Sequence, residues 1–462
     1  MVVDDEHGTT TFEDIIKLDK SSDTLSGIGL SLENSKNLLK SLQNNVVNYQ
    51  AQIYTNKHTP CPHCQKKRRI KGNHTIQYRT LFGIVSIPSR RVYRCKCEGI
   101  DSKTVSILTD WLTEHNAPEL QYIETKWASL MSYGMTADLL KDILPIGDAL
   151  NSSTIRNHLH KVAKRQEKEL EKKPSTLPGL PDEWEKLPKP GKPMTVGIDG
   201  GYVKNWNEKN TNFEVIVGKS FSETSSTKRF GMVQVLEDEP KKRLLDVLVE
   251  QGMQANQQVN FLSDGADNVR NLQYDMYPES SHILDWFHVT MRLTVLNQFA
   301  KGMVVSDPEF GAIVQKDLES TKWYLWHGNV KEALDHIDGC CALSDGDDIQ
   351  YEKNKRFYRH LTEMYTYIDN NTAMIPNYGE LHRYGETIST SFVESTVNEV
   401  VAKRMVKKQQ MQWTHEGAHY LLQTRTAVLN DDLQKSFDRW YPDSNVVTPP
   451  MEIETPELKL AA

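Results

Sequence analysis

The spacing of apolar positions changes period several times along the chain. Residues 31–51 place Leu32, Leu38, Leu39, Leu42, Val46 and Tyr49 near helical spacing, which predicts an amphipathic helix. Between Cys61 and Cys97 the pattern alternates instead, notably over 78–87 and 91–93, as short strands around a turn do. Helical spacing returns over 108–134. A helix over 136–144 should then stop near Pro145, and another should open at Ser152 or Ser153 as N-cap, with Ile155, Leu159 and Val162 on one face. Two helices joined by a turn suggest a helix-turn-helix, in which Thr154, Arg156, Asn157 and His160 near the start of the second helix would face the major groove. Any helical hairpin gives the same pattern.

The proline-dense run KKPSTLPGLPDEWEKLPKPGKP cannot continue a helix and reads as a linker. Beyond it, MTVGIDGGYV, NFEVIVGKSF and RFGMVQVL are three β-type runs. PKKRLLDVLVEQGM is helical, VNFLSDGA is a buried strand, and HILDWFHVTMRL passes from strand to helix. Three strands, a helix, a strand, a helix and a further strand is the order of a ribonuclease H-like mixed sheet. The expected α/β architecture is therefore an N-terminal helical segment (1–55), a basic zinc-ribbon-like module (56–107), a helix-turn-helix-like domain (108–172) and a linker (173–193). A ribonuclease H-like core (194–301) follows, with an all-helical insertion (302–385), C-terminal core helices (386–445) and a polar tail (446–462).

A chain of 462 residues has room for several such domains. No apolar run is long enough to cross a bilayer, and the N-terminus lacks the basic flank and apolar stretch of a secretory signal. A cytoplasmic, nucleoid-associated protein is expected. The net charge of −7 argues against a polyanionic partner on average. Lys66, Lys67, Arg68, Arg69, Lys71, Arg79, Arg90, Arg91, Arg94 and Lys96, however, fall in one stretch with few acids before Glu98. A basic front end joined to an acidic body fits a DNA-reading module on a carboxylate-rich one, although a basic stretch is also an ordinary solvated face.

Asp199 and Asp264 each follow a buried apolar strand and precede glycine, where a carboxylate is costly unless it is paired or meets a metal. Carboxylates at the carboxyl ends of adjacent strands converge on one crevice. A third acid should come from a helix across the sheet, and Glu394 is the candidate, with Glu386 and Glu399 as rivals. Three hard oxygen ligands suit Mg²⁺ or Mn²⁺, and two such ions about 3.5–4 Å apart promote in-line displacement at phosphorus. Asp285 and His288 form a DxxH pair that can share a face and orient a phosphate or a metal ligand, or simply cap a core histidine. Asp267 and Arg270 are further candidates beside Asp264. Cys61 and Cys64, with Cys95 and Cys97, supply four thiolates for a structural Zn²⁺. The CxC pair is tighter than usual, so His58, His63 or His74 could replace one thiolate. Cys340 and Cys341 read as buried thiols.

The CPHC to CKC module, VGIDGGYV, FLSDGADNVR, LDWFHVTMRL and the block FVESTVNEVVAKRMVKKQQMQWTHEGAHYLLQTRTAVLND together resemble the ISKra-like branch of bacterial insertion-sequence DDE transposases, related more distantly to ISL-type transposases. The resemblance covers about residues 55–440. It implies a ribonuclease H-like core with a catalytic Asp199, Asp264 and Glu394, Mg²⁺ as cofactor, terminal inverted repeats as substrate, and Asp285 and His288 close to the active site. DNA contacts are expected from Lys66, Lys67, Arg68, Arg69, Arg90, Arg91, Thr154, Arg156, Asn157, Lys403 and Arg404. Synapsis of two double-stranded ends implies a homodimer or higher oligomer. The competing functions are an inactive derivative acting as a DNA-binding regulator and a plain ribonuclease H-type nuclease.

Overall fold

The computed structural model describes residues 2–4, 10–12, 17, 28–98, 103–147, 150–177, 179, 181–188, 190–191, 193–222, 225–236, 240–276, 280–345, 351–389, 395–406 and 412–443. The chain forms two compact units, Met1–Lys164 with Asp431–Ala462, and Arg165–Asn430.

In the first unit, β1 (Val2–Asp4) and β2 (Thr10–Phe12) pair antiparallel. Helix α1 (Leu32–His58) opens at Ser31, whose hydroxyl accepts the Asn34 N–H. Its buried residues are Val47, Ala51 and Thr55, four apart and so on one face, whereas Leu32 and Leu42 stay exposed. The C-terminal half of the helix thus carries the packing. It packs with β3 (Ile70–Thr80) and β4 (Gly83–Tyr93), one antiparallel hairpin in place of several short strands. Gly83 holds φ at +114°, which an L side chain rarely adopts, so the two-residue turn needs glycine there. Val85 and Ile87 point inward from β4 and form a small core with Val47, Ala51, Ile76 and Leu108. Strand β5 (Thr104–Ser106) joins β4 only over Arg91–Tyr93, leaving Pro88 on an unpaired stretch of that edge, where a missing N–H is tolerated.

Three helices follow: α2 (Pro118–Leu130), α3 (Tyr133–Ile143) and the first part of α4 (Ser152–Lys172). Ile155, Leu159 and Val162 are buried as their spacing predicts. The cap of α4 is Asn151, whose Oδ1 accepts the Thr154 N–H at 2.9 Å, rather than Ser152 or Ser153. The connection from α3 to α4 runs over 144–151, longer than a helix-turn-helix turn. The helix Asp432–Trp440 also belongs to this unit: Phe437 meets Tyr122 edge-on and the Tyr441 hydroxyl donates to Glu114 Oε1. Residues 431–443, which the sequence reading assigned to the core, therefore fall in the first unit.

In the second unit the proline-rich run is not a free tether. Lys173 Nζ binds Asp246 at 2.5 Å, Leu177 packs against the core, and the short helix α5 (Pro181–Trp184) interrupts it. A mixed five-stranded sheet follows, built from β6 (Met194–Lys204), β7 (Asn212–Phe221), β8 (Lys228–Val233), β9 (Val259–Ser263) and β10 (Ser281–Leu284) in the order β10-β9-β6-β7-β8. β6, β7 and β8 are antiparallel neighbours, whereas β6, β9 and β10 run parallel. Helix α6 (Pro240–Glu250) precedes β9 and α7 (Asp267–Met276) precedes β10, so the predicted order of three strands, helix, strand, helix, strand is present.

Side chains alternate across the sheet, and both faces are covered. Met194, Val196, Ile198, Val259 and Phe261 pack with Leu244 and Leu248 of α6 and Leu272 of α7. Leu262 and Ile283, of opposite parity, join a helical layer of α8 (Trp286–Ser306), α9 (Pro308–Trp326), α10 (Val330–Ser344), α11 (Asn354–Asn370) and α12 (Tyr378–Arg383). Burying each such aliphatic side chain stabilises by roughly 1.5–3 kcal/mol. A π-helix, Asn398–Val406, and a helix, His415–Leu429, complete the unit. No helix among the described residues is long and apolar enough to cross a membrane.

Candidate active site and metal centre

Register aligns the acids. β6 pairs β9 from Met194 opposite Val259 to Gly197 opposite Leu262, and β9 pairs β10 from Asn260 opposite Ser281 to Ser263 opposite Leu284. Carried one or two residues further, the same registers set Asp264 level with Asp199 and Asp285 level with Asp264. Three aspartates thus share one row where the parallel strands diverge, which is where crevices open on such sheets. Asp199 itself does not end its strand: β6 runs on to Lys204, paired with β7. A Cβ on Gly200 would lie 2.8 Å from Glu214 Oε1, and one on Gly201 would touch Val215 and Val397 at 3.4 Å.

Asp199 Oδ1 accepts the Gly200 N–H at 2.8 Å, and Asp264 Oδ1 accepts the Ala266 N–H at 3.0 Å in a turn. Burial raises the Asp199 pKa. The neighbouring charges of Asp264 and Asp285 push the same way, against a lowering by His288 and the Gly200 amide. Asp285 is fully buried and caps α8: Oδ1 accepts the Phe287 N–H at 2.8 Å and Oδ2 accepts His288 Nδ1–H at 2.7 Å. That bond, foremost, raises the His288 pKa, with further help from the charges of Asp285, Asp199 and Asp264 against desolvation. The capped histidine and the acidic row are therefore one constellation, in which Asp285 fixes the His288 tautomer and leaves Nε2 on a side chain one-third exposed.

Glu394 lies outside the described residues, as does the side chain of Asp267. The helical stretch that begins at Ser395 crosses the Asp199 face of β6, since Val397 and Val401 meet the Cβ position of Gly201, a residue of the same strand parity as Asp199. The rival Glu399 is tied to Arg229 Nε at 2.9 Å on the far edge strand, and Glu386 lines a cleft beside β10. As a cation site the row offers hard oxygen donors, and Asp199 is held among like charges that a cation would offset. Among the described residues, though, Asp199, Asp264, Asp285 and His288 do not form a group whose ligand atoms all lie within 4.8 Å of one another.

The four cysteines do. Cys61, Cys64, Cys95 and Cys97 have all sulfurs within 4.8 Å of one another, with Cys61 to Cys97 at 3.4 Å and Cys64 to Cys95 at 3.6 Å. A tetrahedral zinc with Zn–S near 2.3 Å sets sulfurs about 3.8 Å apart, so the cluster could hold a zinc ion without a histidine. His58 is instead stacked on Tyr54 at 3.9 Å. The Cys64 amide, foremost, lowers the Cys61 pKa, and the Cys97 amide brings Cys95 to about 7, whereas hydrogen bonds from Cys95 and Cys61 raise that of Cys97. Glu98 is a supporting residue that composition alone marks only as an acid in a basic run. It accepts the Cys95 N–H at 2.9 Å and bonds Arg68 and Arg94. The signal for it was its position directly after the CxC pair.

The basic candidates separate by burial. Lys66, Lys67, Arg69 and Arg91 are exposed, as are Arg156, Asn157 and Lys403, while Arg90 is half-buried. Arg68 is committed to His58 O at 2.6 Å, Thr59 O at 3.0 Å and Glu98. Thr154 is half-buried at the start of α4, its hydroxyl and amide both on Asn151. Arg404 is fully buried with its guanidinium 5.2 Å from the centre of the Trp413 ring, so its place is the core and not a DNA surface. Arg270 Nη2 bonds Gly265 O and Asn371 Oδ1, supporting the turn after Asp264. Searches against protein-family models and curated proteins find no match to this chain.

Proposed function

We propose that the protein is a DDE-type DNA transposase with a ribonuclease H-like core, akin to the ISKra-like branch. In this reading it binds the terminal inverted repeats of its element and carries out metal-dependent cleavage and strand transfer. The observation that carries this is the single row of Asp199, Asp264 and Asp285 on a mixed sheet of order β10-β9-β6-β7-β8, in which three antiparallel strands precede two parallel ones. Asp199 and Asp264 would hold Mg²⁺ or Mn²⁺, with Glu394 as third ligand. Bound there, the ions supply the charge that activates an attacking hydroxyl and stabilises the leaving oxygen. The chain's own residues would do the rest: Asp285 holds His288 through Nδ1 and raises its pKa, so that a protonated Nε2 would serve as donor to a phosphate oxygen beside the row. The cysteine cluster would bind structural Zn²⁺ and stiffen a basic hairpin that contacts DNA, and synapsis of two ends would require at least a dimer.

The test uses the full chain and double-stranded DNA carrying the sequences that flank its gene. Asp199→Ala, Asp264→Ala and Glu394→Ala should each abolish Mg²⁺-dependent cleavage while leaving DNA affinity within a few-fold. Full cleavage by Glu394→Ala would remove it from the ligand set, and full cleavage by Asp199→Ala or Asp264→Ala would refute the reading.

A further inference from the structure

A buried polar relay runs from the outer edge of the sheet to the turn that carries Asp264. Gln273 on α7 donates from Nε2 to Ser280 O and Ser280 Oγ, both at 2.9 Å, which leaves its Oε1 as an acceptor. His282 Nδ1 lies 2.7 Å from that oxygen and must therefore carry the proton. His282 Nε2, 2.7 Å from Ser263 Oγ, then accepts the serine hydroxyl. Ser263 Oγ in turn accepts the Gly265 N–H at 3.1 Å. The path ends on the residue after Asp264. Ser263 and Gln273 are buried, while Ser280 and His282 are half-buried.

A second clamp holds the carbonyl of the same glycine. Arg270 Nη2 donates to Gly265 O at 3.3 Å and to Asn371 Oδ1 at 3.1 Å. Gly265 has φ near +87°, and a Cβ there would lie 2.4 Å from Asn371 Oδ1, so no other residue fits without displacing the clamp. Asn371 follows α11, whose Tyr367 carbonyl accepts its Nδ2 at 2.7 Å, which ties the helical layer to the same turn. A carboxylate on a glycine turn would otherwise sample several orientations.

We propose that Gln273, His282 and Ser263, with Arg270 and Asn371, are positioning residues that hold the Asp264 carboxylate in its ion-binding orientation. The proposal rests on the reading of Asp264 as a metal ligand. Burial and the Arg270 charge bring the His282 pKa down to about 4, against a raising by Asp264, which keeps the ring in the neutral form the relay requires.

Groups that orient a metal ligand typically change metal affinity by about 10- to 100-fold when removed. Binding of Mn²⁺ to the full chain, read by electron paramagnetic resonance and calorimetry, should weaken by that factor in Ser263→Ala and in His282→Leu, with affinity for DNA unchanged. Ser263→Ala removes one oxygen and keeps the test valid if His282→Leu folds poorly. Asp264→Asn is the reference. If it binds Mn²⁺ as wild type does, the reading of the site fails. If it loses Mn²⁺ while Ser263→Ala binds within threefold of wild type, the relay proposal fails and the site stands.

Discussion

His282 sits between Gln273 Oε1, which needs a donor from Nδ1, and the Ser263 hydroxyl at Nε2, and burial with the nearby Arg270 charge favours its neutral form. Its pKa falls from the ordinary 6.5 to about 4. A group whose folded pKa is depressed binds more protons unfolded, so stability falls as pH drops from about 6.5 towards 4. The loss is at most about 3.5 kcal/mol, at about 1.4 kcal/mol per unit. His282→Gln should lack this part of the acid slope, seen as a smaller drop in urea-unfolding free energy between pH 6.5 and 4.5; an unchanged slope would refute the assignment. At this scale each aspartate alone reads as a turn or capping residue, as Asp264 and Asp285 in fact are, and only the strand order marks Asp199 and Asp264 as a pair. Arg404 was not, because nothing in a KRM run distinguishes a guanidinium over the buried Trp413 ring from one facing solvent. His282, Gln273 and Ser263 were missed for a related reason: register and the β10 connection bring them together, and spacing along the chain records neither.

Among elements, the order of strands and helices followed from period and turn residues, while boundaries moved where tertiary packing decided. The leucines of α1 fit a helical stripe, yet Val47, Ala51 and Thr55 are its buried residues, since the second half of the helix meets the apolar core of the hairpin. The hairpin β3–β4 has a small core, and a four-sulfur ion at its base would add the constraint that so few aliphatic side chains supply. Purified under reducing conditions, the protein should carry about one zinc per chain by metal analysis. Strong chelation should expose the four cluster thiols to a thiol reagent and lower the unfolding midpoint. Zinc-free protein with an unchanged midpoint would leave the cluster as four ordinary thiols. Cys340 is a useful internal contrast: burial pushes its pKa to about 12, so it should react far more slowly than the released cluster.

For the molecule as a whole, a net charge of −7 and a DNA-binding role are compatible only if affinity comes from a few exposed cations set apart from the acids. Of the six hairpin-module cations proposed as contacts, Lys66, Lys67, Arg69 and Arg91 are exposed, whereas Arg90 is half-buried and Arg68 is spent on Glu98 and two backbone carbonyls. Each phosphate contact releases condensed counterions and contributes about −0.9 to the slope of log affinity against log salt. Replacing any one of the four by Ala should make that slope shallower by about 0.9 over roughly 50–200 mM salt, measured by fluorescence anisotropy on duplex DNA. Arg68→Ala should behave differently: it removes a partner of the carboxylate that holds the Cys95 amide, so it should weaken zinc retention before it alters the slope. A slope that responds to Arg68 alone, and not to its exposed neighbours, would move the DNA interface away from this hairpin. The exposed start of α4, with Arg156 and Asn157, would then be the surface left to carry it.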